Sequence, residues 1–148
     1  MSDPTNTEAV VPLYTAVAHA TGDGRNGHVR SDDGRLDLDV RVPKELGGPG
    51  GGTNPEALFA AGYAACFHSA LKFTALADKL DVGDSEVSAT IGIGMLPTGG
   101  FGLTAELDIY LPGIDRPTAE SLIERAHLTC PYSNATRGNV DVTLSLVA

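Results

Sequence analysis

The sequence is poor in positive charge and in long apolar runs. Its 148 residues include 10 Lys and Arg against 19 Asp and Glu, which gives a net charge of −9, and no basic run offsets it locally. Nucleic acid and anionic membrane surfaces are therefore not expected as partners, because both attract positive charge. The longest uncharged apolar stretch, residues 57–71, is shorter than the roughly 18 residues that a membrane span needs.

Cysteine and targeting signals are equally scarce. The two cysteines, Cys66 and Cys130, do not make a disulfide scaffold, and neither belongs to a Cys-x-x-Cys pair. The first residues, Met-Ser-Asp-Pro-Thr-Asn, lack the basic and apolar regions of a secretory signal. We therefore expect a reducing, cytoplasmic location in which thiols matter through their chemistry.

The composition is that of a globular domain. With 42% hydrophobic and 20% charged residues, the chain suffices for a single domain spanning residues 1–148 with a hydrophobic core. Alternation of apolar and polar residues predicts six strands, of which the fourth and fifth form an antiparallel hairpin with one buried face. They cover residues 13–20, 28–31, 36–42, 87–95, 101–111 and 140–146.

Two segments interrupt this alternation and predict helices. Residues 118–128 carry a single apolar stripe at helical spacing. The other helix begins at residues 53–56, Thr-Asn-Pro-Glu, which supply a capping residue, a proline in the first turn and a glutamate. It follows a glycine run at residues 47–52, interpreted as a mobile connector. Because residues 57–67 are apolar on every side, this helix is expected to be surrounded by protein.

The order of these elements is β-β-β-α-β-β-α-β. It predicts an α+β domain in which sheets surround a central helix.

Cys66 lies in the middle of this central helix. As a small hydrophobe it is compatible with inert packing, whereas a reactive Cys66 needs a cation beside it, because an apolar pocket raises the pKa of a thiol. Arg25, in a glycine-rich turn, and Arg137 have the right chemistry. The neighbours of Cys66 at helical spacing are apolar or small: Phe59, Gly62, Tyr63, Ala70 and Phe73.

A buried guanidinium needs a carboxylate partner, and Glu56 in the first turn of the same helix is the natural one. At a rise of ~1.5 Å per residue, Glu56 and Cys66 lie about 15 Å apart along one helix. If both serve one site, Glu56 comes from a second subunit. The chemistry therefore predicts a dimer.

Cys130 lies in a polar, turn-rich segment, residues 130–139, where packing does not require sulfur. His127 is placed either to face Cys130 or only to complement the dipole of its helix. His68, two residues after Cys66, points away from it. No metal is expected, because the spacing of metal ligands is absent, and a Cys/His hydrolase is poorly supported.

Three segments together resemble the Ohr/OsmC family, in its organic hydroperoxide resistance branch. They are Pro-Lys-Glu-Leu-Gly-Gly at 43–48, Thr-Asn-Pro-Glu-Ala-Leu-Phe-Ala-Ala-Gly-Tyr-Ala-Ala-Cys-Phe at 53–67, and Cys-Pro-Tyr-Ser-Asn-Ala-Thr-Arg-Gly-Asn at 130–139. Their order and the two cysteines inside them make the resemblance specific, and it covers nearly the whole chain.

The resemblance implies an OsmC-like fold, with antiparallel sheets wrapped around a long central helix in an intertwined homodimer. It also implies a thiol-dependent peroxidase for alkyl and fatty-acid hydroperoxides. Such an enzyme has no bound cofactor and is reduced again by the dihydrolipoyl groups of lipoylated proteins.

The same resemblance implies the roles of four residues. Cys66 would be the peroxidatic cysteine, Cys130 the resolving cysteine, Glu56 the carboxylate and Arg25 the guanidinium. The arginine turn departs from the family pattern, because it reads Gly-Asp-Gly-Arg-Asn-Gly where the family has a Gly-Gly-Arg-Asp-Gly type of turn.

Apolar side chains are expected to form the substrate pocket. They would select alkyl or aryl peroxides over H₂O₂, because each buried CH₂ contributes about 0.8 kcal/mol. Two alternatives stay open: a peroxidase of the osmotically inducible branch with broader specificity, and a non-enzymatic protein that binds an apolar ligand. The predicted pocket residues are Phe59, Tyr63, Phe73 and Met95.

Overall fold

The computed structural model describes residues 10–147, which form two compact units that divide between Asn54 and Pro55. We call them the N-terminal unit and the C-terminal unit. The α+β class is confirmed by three strands in the former and by three strands and three helices in the latter. The elements are β1 (Ala18–Thr21), β2 (His28–Ser31), β3 (Asp37–Asp39), α1 (Pro55–Ala77), β4 (Glu86–Met95), β5 (Phe101–Tyr110), α2 (Arg116–Thr129), α3 (Pro131–Thr136) and β6 (Val142–Val147).

The N-terminal unit is a small antiparallel sheet in the order β1-β2-β3. Its first strand is shorter than predicted, because the pairing with β2 starts only at Ala18, opposite Ser31. Over residues 10–54, Val40 is the only hydrophobic residue that is buried. Leu13 is fully exposed and Leu36 is 47% exposed. The described part of this unit therefore has almost no core of its own.

The glycine-rich segment at residues 47–52, predicted as a mobile connector, closes back on the chain before it. The N–H of Gly48 donates to the carbonyl of Pro43 at 3.0 Å, and that of Gly50 donates to the carbonyl of Val42 at 3.0 Å. A side chain at Gly48 would meet the Val42 carbonyl oxygen at 2.2 Å. Glycine is therefore required at position 48 by the close approach of the Val42 backbone.

The C-terminal unit contains a sheet in the order β4-β5-β6. The antiparallel hairpin of β4 and β5 is confirmed, but β6 pairs in parallel with β5. The expectation of purely antiparallel sheets is therefore corrected for this sheet. The physical reason is the connection, because β5 and β6 are joined by a crossover through α2 and α3 instead of a tight turn.

Helices α1 and α2 pack with this sheet to form the hydrophobic core. The buried face of the hairpin stops at Ile91 and Ala105, which pair with each other. Beyond them, Met95 and Phe101 are 80% and 74% exposed, so the prediction of one buried face fails at the hairpin tip. The largest fully buried side chains of the core are those of Tyr63, Phe67, Leu71, Leu107, Ile109 and Leu122.

Helix α1 begins at Pro55, where the capping signals predicted a start, and runs for 23 residues. It is not surrounded by protein within the single chain. One face is buried, whereas a second face, which we call the alanine stripe, is exposed. The alanine stripe consists of Ala57, Ala61, Ala65, Ser69 and Phe73, each four residues after the last.

Helix α2 begins two residues before the predicted start, because Asp115 caps it by accepting a hydrogen bond from the N–H of Thr118 at 3.1 Å. Helix α3, over residues predicted as a polar turn, was not anticipated. Among the helices that the structure describes, none combines the length and apolar character required to cross a membrane.

Candidate active site

The two cysteines meet in the C-terminal unit although 64 residues separate them. Their Sγ atoms lie 3.5 Å apart, and both are free thiols. Cys66 comes from the middle of α1, and Cys130 comes from the junction of α2 and α3. An S–S bond is about 2.05 Å long, so the two sulfurs must still move closer to form one.

Cys130 is held by the local geometry of the junction. It ends α2 and caps the start of α3, where its Sγ accepts a hydrogen bond from the N–H of Ser133 at 3.5 Å. Pro131, as the first residue of α3, has the fixed backbone angle that suits a helix start. The residue is completely buried, so its sulfur is not exposed to solvent.

Cys66 is partly buried, and burial is the main cause that raises the pKa of its thiol. The backbone N–H of Tyr132 acts in the opposite direction, because it stabilises a thiolate, whereas the neighbouring Cys130 raises the pKa further. In the single chain, Cys66 is therefore a thiol at neutral pH. A reactive thiolate needs an additional positive group.

A mainly apolar cavity of about 400 Å³ opens beside Cys66. The predicted pocket residue Phe73 lines it, two helical turns after the cysteine. Phe73 is 71% exposed, so this wall of the cavity is open in the single chain. The full lining is Cys66, Ser69, Ala70, Phe73, Thr129 and Pro131.

Two other predicted pocket residues, Phe59 and Tyr63, form an aromatic cluster with Tyr132. The three ring centroids lie 5.8 to 6.1 Å from one another. Gly62 makes room for this cluster, because a Cβ there would meet the Tyr132 hydroxyl at 2.9 Å. The fourth predicted pocket residue, Met95, lies at the end of β4 and is not among the residues that line the cavity beside Cys66.

Sequence reasoning missed a group of hydroxyls beneath α3. The hydroxyl of Tyr63 lies 2.9 Å from Oγ of Ser133, which in turn lies 2.8 Å from Nδ1 of His127. His127 therefore binds Ser133 and not the cysteine three residues after it. The sequence did carry one signal for this group. Ser133 lies three residues after Cys130, which is the spacing between a helix-capping residue and a residue in the first turn of that helix.

The remaining histidine and arginine candidates have structural partners. His68 hydrogen-bonds through Nε2 with Oγ of Ser85 at 2.9 Å, which agrees with the prediction that it points away from Cys66. Arg137 donates to the carbonyl of His127 at 2.5 Å and to the side chain of Asn134 at 2.7 Å. This arginine therefore fastens the end of α2 to α3.

Arg25 lies in the N-terminal unit, in a short 3-10 turn at Gly24–Asn26. Arg41 steadies this turn by donating to the carbonyl of Gly27 at 2.8 Å. Gly24, with φ of 54°, adopts the left-handed conformation that the turn requires. The glycine-rich sequence around Arg25 thus forms an ordered turn.

Glu56 is the second residue of α1, and the helix is continuous from Pro55 to Ala77. Ten residues of helix therefore separate Glu56 from Cys66, as the sequence predicted. Within residues 10–147, no group of three or more His, Cys, Asp or Glu side chains is arranged to hold a metal ion.

Comparison with known proteins identifies the family. A sequence model of OsmC-like proteins matches residues 48–145. The organic hydroperoxide resistance protein of Xanthomonas axonopodis pv. citri is 56% identical over 136 residues, which cover 90% of this chain and 94% of that protein. The organic hydroperoxide resistance protein OhrB of Bacillus subtilis is 46% identical over 135 residues, which cover 90% and 98%.

Solved structures agree with this assignment. An organic hydroperoxide resistance protein from Legionella pneumophila superposes with a TM-score of 0.89 at 49% identity, covering 93% of this chain and 100% of that one. One from Elizabethkingia anophelis gives 0.88 at 53% identity, with 93% and 98% covered. The resemblance drawn from the three sequence segments is confirmed: the chain belongs to the OsmC-like family, and these relatives are named organic hydroperoxide resistance proteins.

Proposed function

We propose that this chain is a cytoplasmic thiol peroxidase that reduces organic hydroperoxides to alcohols. The observation that carries the proposal is the pair of thiols 3.5 Å apart, with Cys66 facing an apolar cavity and Cys130 completely buried behind it. The names of the relatives at 46 to 56% identity support the same substrate class.

The first step is attack of the Cys66 thiolate on the distal oxygen of ROOH. The O–O bond breaks, the sulfur takes up the distal oxygen with its hydrogen as a sulfenic acid, and the other oxygen leaves as the alcohol ROH after taking up the proton that Cys66 released on ionising. The peroxide is reduced by two electrons, and the sulfur is oxidised by two.

Arg25 is proposed to hold Cys66 ionised. Burial raises the pKa of Cys66, so a guanidinium is needed to favour the thiolate and to stabilise charge on the departing oxygen. Glu56 is proposed to orient that guanidinium. Because Glu56 and Cys66 are about 15 Å apart on one straight helix, Glu56 would be supplied by a second subunit.

A homodimer is proposed on two further grounds. The alanine stripe leaves one face of α1 exposed along most of its length, although its residues are small or apolar. The described part of the N-terminal unit buries almost no apolar surface, while Leu13 and Tyr14 are 103% and 79% exposed. A second copy of the chain is the proposed occupant of both surfaces, in agreement with the intertwined arrangement that the resemblance implies.

In the second step the Cys130 thiol condenses with the Cys66 sulfenic acid. The S–S bond forms, the S–O bond breaks, and the oxygen leaves as water with the thiol proton. A dithiol of the dihydrolipoyl type then reduces the disulfide by exchange, returning both thiols and leaving as its own disulfide. Dihydrolipoamide is therefore expected to support turnover faster than thioredoxin does, and steady-state peroxide consumption with each reductant checks this.

The cavity beside Cys66 supports selection of organic peroxides. Its apolar wall, with Phe73, is suited to an alkyl or aryl group, and each CH₂ that it buries contributes about 0.8 kcal/mol. A peroxidase of broad specificity would instead reduce H₂O₂ at a comparable rate. Rates with tert-butyl hydroperoxide and H₂O₂ on the same preparation distinguish the two.

Single-turnover reduction of tert-butyl hydroperoxide, followed by mass spectrometry of the intact protein, tests the mechanism. Cys66→Ser is expected to abolish peroxide reduction. Cys130→Ser is expected to form one sulfenate per site and then to stop. Normal reduction by Cys66→Ser would overturn the proposal and would favour a protein that binds an apolar ligand.

Complementation tests the shared site. Cys66→Ser and Glu56→Ala are each expected to be inactive, and mixing and refolding the two is expected to recover part of the activity, because one site of the mixed dimer is then intact. Refolding each variant alone is the control. Mixed dimers without activity would contradict the supply of Glu56 by the partner.

A further inference from the structure

A buried chain of hydroxyls connects α1 with both helices that meet at Cys130. The Tyr63 hydroxyl lies 2.9 Å from Oγ of Ser133 and 3.2 Å from Oγ1 of Thr136. Oγ of Ser133 also lies 2.8 Å from Nδ1 of His127. Tyr63 and Ser133 are completely buried, and Thr136 is 3% exposed. Buried hydroxyls that are all bonded fix the elements they join in one arrangement.

The donors and acceptors of this network are consistent with one another. Burial, aided by the charge of Arg137, lowers the pKa of His127, so its ring is neutral near pH 7. A neutral ring that carries its proton on Nε2 accepts the hydroxyl hydrogen of Ser133 at Nδ1. Tyr63 then donates to Ser133, and Thr136 directs its single hydroxyl hydrogen either to the Ser133 carbonyl at 3.1 Å or to the Tyr63 oxygen at 3.2 Å.

Ser133 links this network to the thiols. Its side chain is bonded to Tyr63 and His127, while its backbone N–H donates to Sγ of Cys130 at 3.5 Å. Tyr63 lies one helical turn before Cys66 on α1. The same short path, from α1 through Tyr63 and Ser133, therefore determines where Cys130 lies relative to Cys66.

We infer that Tyr63, Ser133 and His127 are positioning residues for formation of the disulfide between Cys66 and Cys130. The inference rests on the proposed function, in which Cys130 condenses with the Cys66 sulfenic acid and releases water. The three side chains do not exchange atoms with the reactants. They restrict α3 to the orientation in which the two sulfurs are 3.5 Å apart, so that less conformational freedom is lost when the S–S bond forms.

The experiment measures the equilibrium constant for disulfide formation without peroxide. The dimeric protein is equilibrated in mixtures of reduced and oxidised lipoamide, and the disulfide fraction is read by thiol alkylation and mass spectrometry. Tyr63→Phe is expected to lower the constant roughly tenfold, a shift of about 30 mV toward a less reducing potential. A potential reports the difference between two redox states, so equal destabilisation of both leaves it unchanged.

A pair of substitutions at His127 tests the same inference. His127 is only half-buried, whereas Tyr63 is completely buried, so its replacement disturbs the core less. His127→Leu removes the partner of Ser133 and is expected to shift the potential in the same direction. His127→Asn places an amide close to the position of Nδ1 and is expected to restore most of the wild-type value. Tyr110→Phe, which removes a partly exposed hydroxyl on β5, is the matched control and is expected to change nothing.

The outcomes separate the inference from the function on which it rests. An unchanged potential in Tyr63→Phe, or equal potentials for the two His127 variants, would overturn the positioning role. Should Tyr63→Phe fail to fold, the His127 pair decides. Wild-type protein that forms no Cys66–Cys130 disulfide in any of the mixtures would contradict the proposed function itself.

Discussion

The two units of the chain differ in how many hydrophobic side chains they bury. In the C-terminal unit, a mixed sheet and two long helices enclose side chains such as Leu107 and Ile109 completely. In the described part of the N-terminal unit, Val40, which follows the third of three short strands, is the only buried hydrophobic residue, and turns and side-chain bonds contribute to the ordered structure. Marginal burial of this kind is a sign that a unit depends on a surface outside itself.

The two thiols and the arginine proposed to ionise one of them lie in different units. The two thiols belong to the unit with a core. Arg25, which is proposed to ionise Cys66, belongs to the unit without one. In the proposed dimer, the thiol of raised pKa and the guanidinium proposed to activate it thus belong to units of opposite character.

The largest expected effect tests where the core lies. Leu107→Ala removes a fully buried side chain and is expected to lower the free energy of unfolding by about 2–5 kcal/mol. Urea denaturation followed by circular dichroism measures the loss. Val147→Ala, at a 37% exposed position of β6, is the control and is expected to cost less than about 1 kcal/mol. Equal losses would place the core elsewhere.

The next effect concerns the alanine stripe. Ala61→Arg places a long charged side chain on the exposed face of α1 and is expected to convert the proposed dimer into monomers. Size-exclusion chromatography with light scattering measures the mass. Ser121→Arg, on the exposed face of α2, adds the same charge and is expected to leave the mass unchanged. A dimer that survives Ala61→Arg would show that the alanine stripe is not the interface.

A smaller effect tests how the N-terminal unit holds together. His28 lies 2.9 Å from Asp39 and 2.5 Å from Asp37, and hydrogen bonds to these two carboxylates raise its pKa above 6.5. The bonds therefore stabilise the sheet fully below pH 6.5, and their contribution is lost as the pH rises through the raised pKa. NMR titration of the His28 ring is expected to show that raised value, with weaker protection of the β2 and β3 amides above it.

His28→Gln is the comparison for this titration, because it removes the ionisable ring and should make amide protection in β2 and β3 independent of pH over the same range. A midpoint for His28 at or below 6.5 would contradict the role of the two aspartates.

The smallest effect tests a surface ion pair of the C-terminal unit. Arg125 donates to both carboxylate oxygens of Asp78, which joins α2 to the end of α1 and lowers the pKa of Asp78. Both side chains are more than a third exposed and solvent screens the pair, so Asp78→Asn is expected to lower the free energy of unfolding at pH 7 only slightly. The wild-type advantage should disappear as the pH falls through the lowered pKa, and thermal unfolding of both proteins over a series of pH values from 7 downward measures it.

Local signals predicted the elements that local chemistry decides. The start of α1 follows from Pro55 and its capping neighbours, and the hairpin follows from strict alternation. The parallel pairing of β6 was not predictable, because it depends on how α2 and α3 cross the sheet. The exposure of Met95 and Phe101 likewise depends on how far the helices reach along the hairpin, which no periodicity encodes.

The same division holds for the candidate site. The chemical need for a cation and the length of α1 predicted that Cys66 and Glu56 cannot meet within one helix. The pairing of Cys66 with Cys130 came from family resemblance alone. The role of Ser133 escaped sequence reasoning, because a six-residue helix with serine and asparagine in it has the composition of a turn, and Tyr63, 70 residues away, holds it.

The two sulfurs differ in exposure, which makes one of them the expected point of attack when the proposed disulfide is reduced. Cys130 is sealed inside the protein, whereas Cys66 borders the cavity. In the proposed cycle, an incoming dithiol is therefore expected to attack the sulfur of Cys66, so that the mixed disulfide forms there and Cys130 leaves as the thiolate. The backbone N–H of Ser133 already points at that leaving sulfur, ready to steady its negative charge.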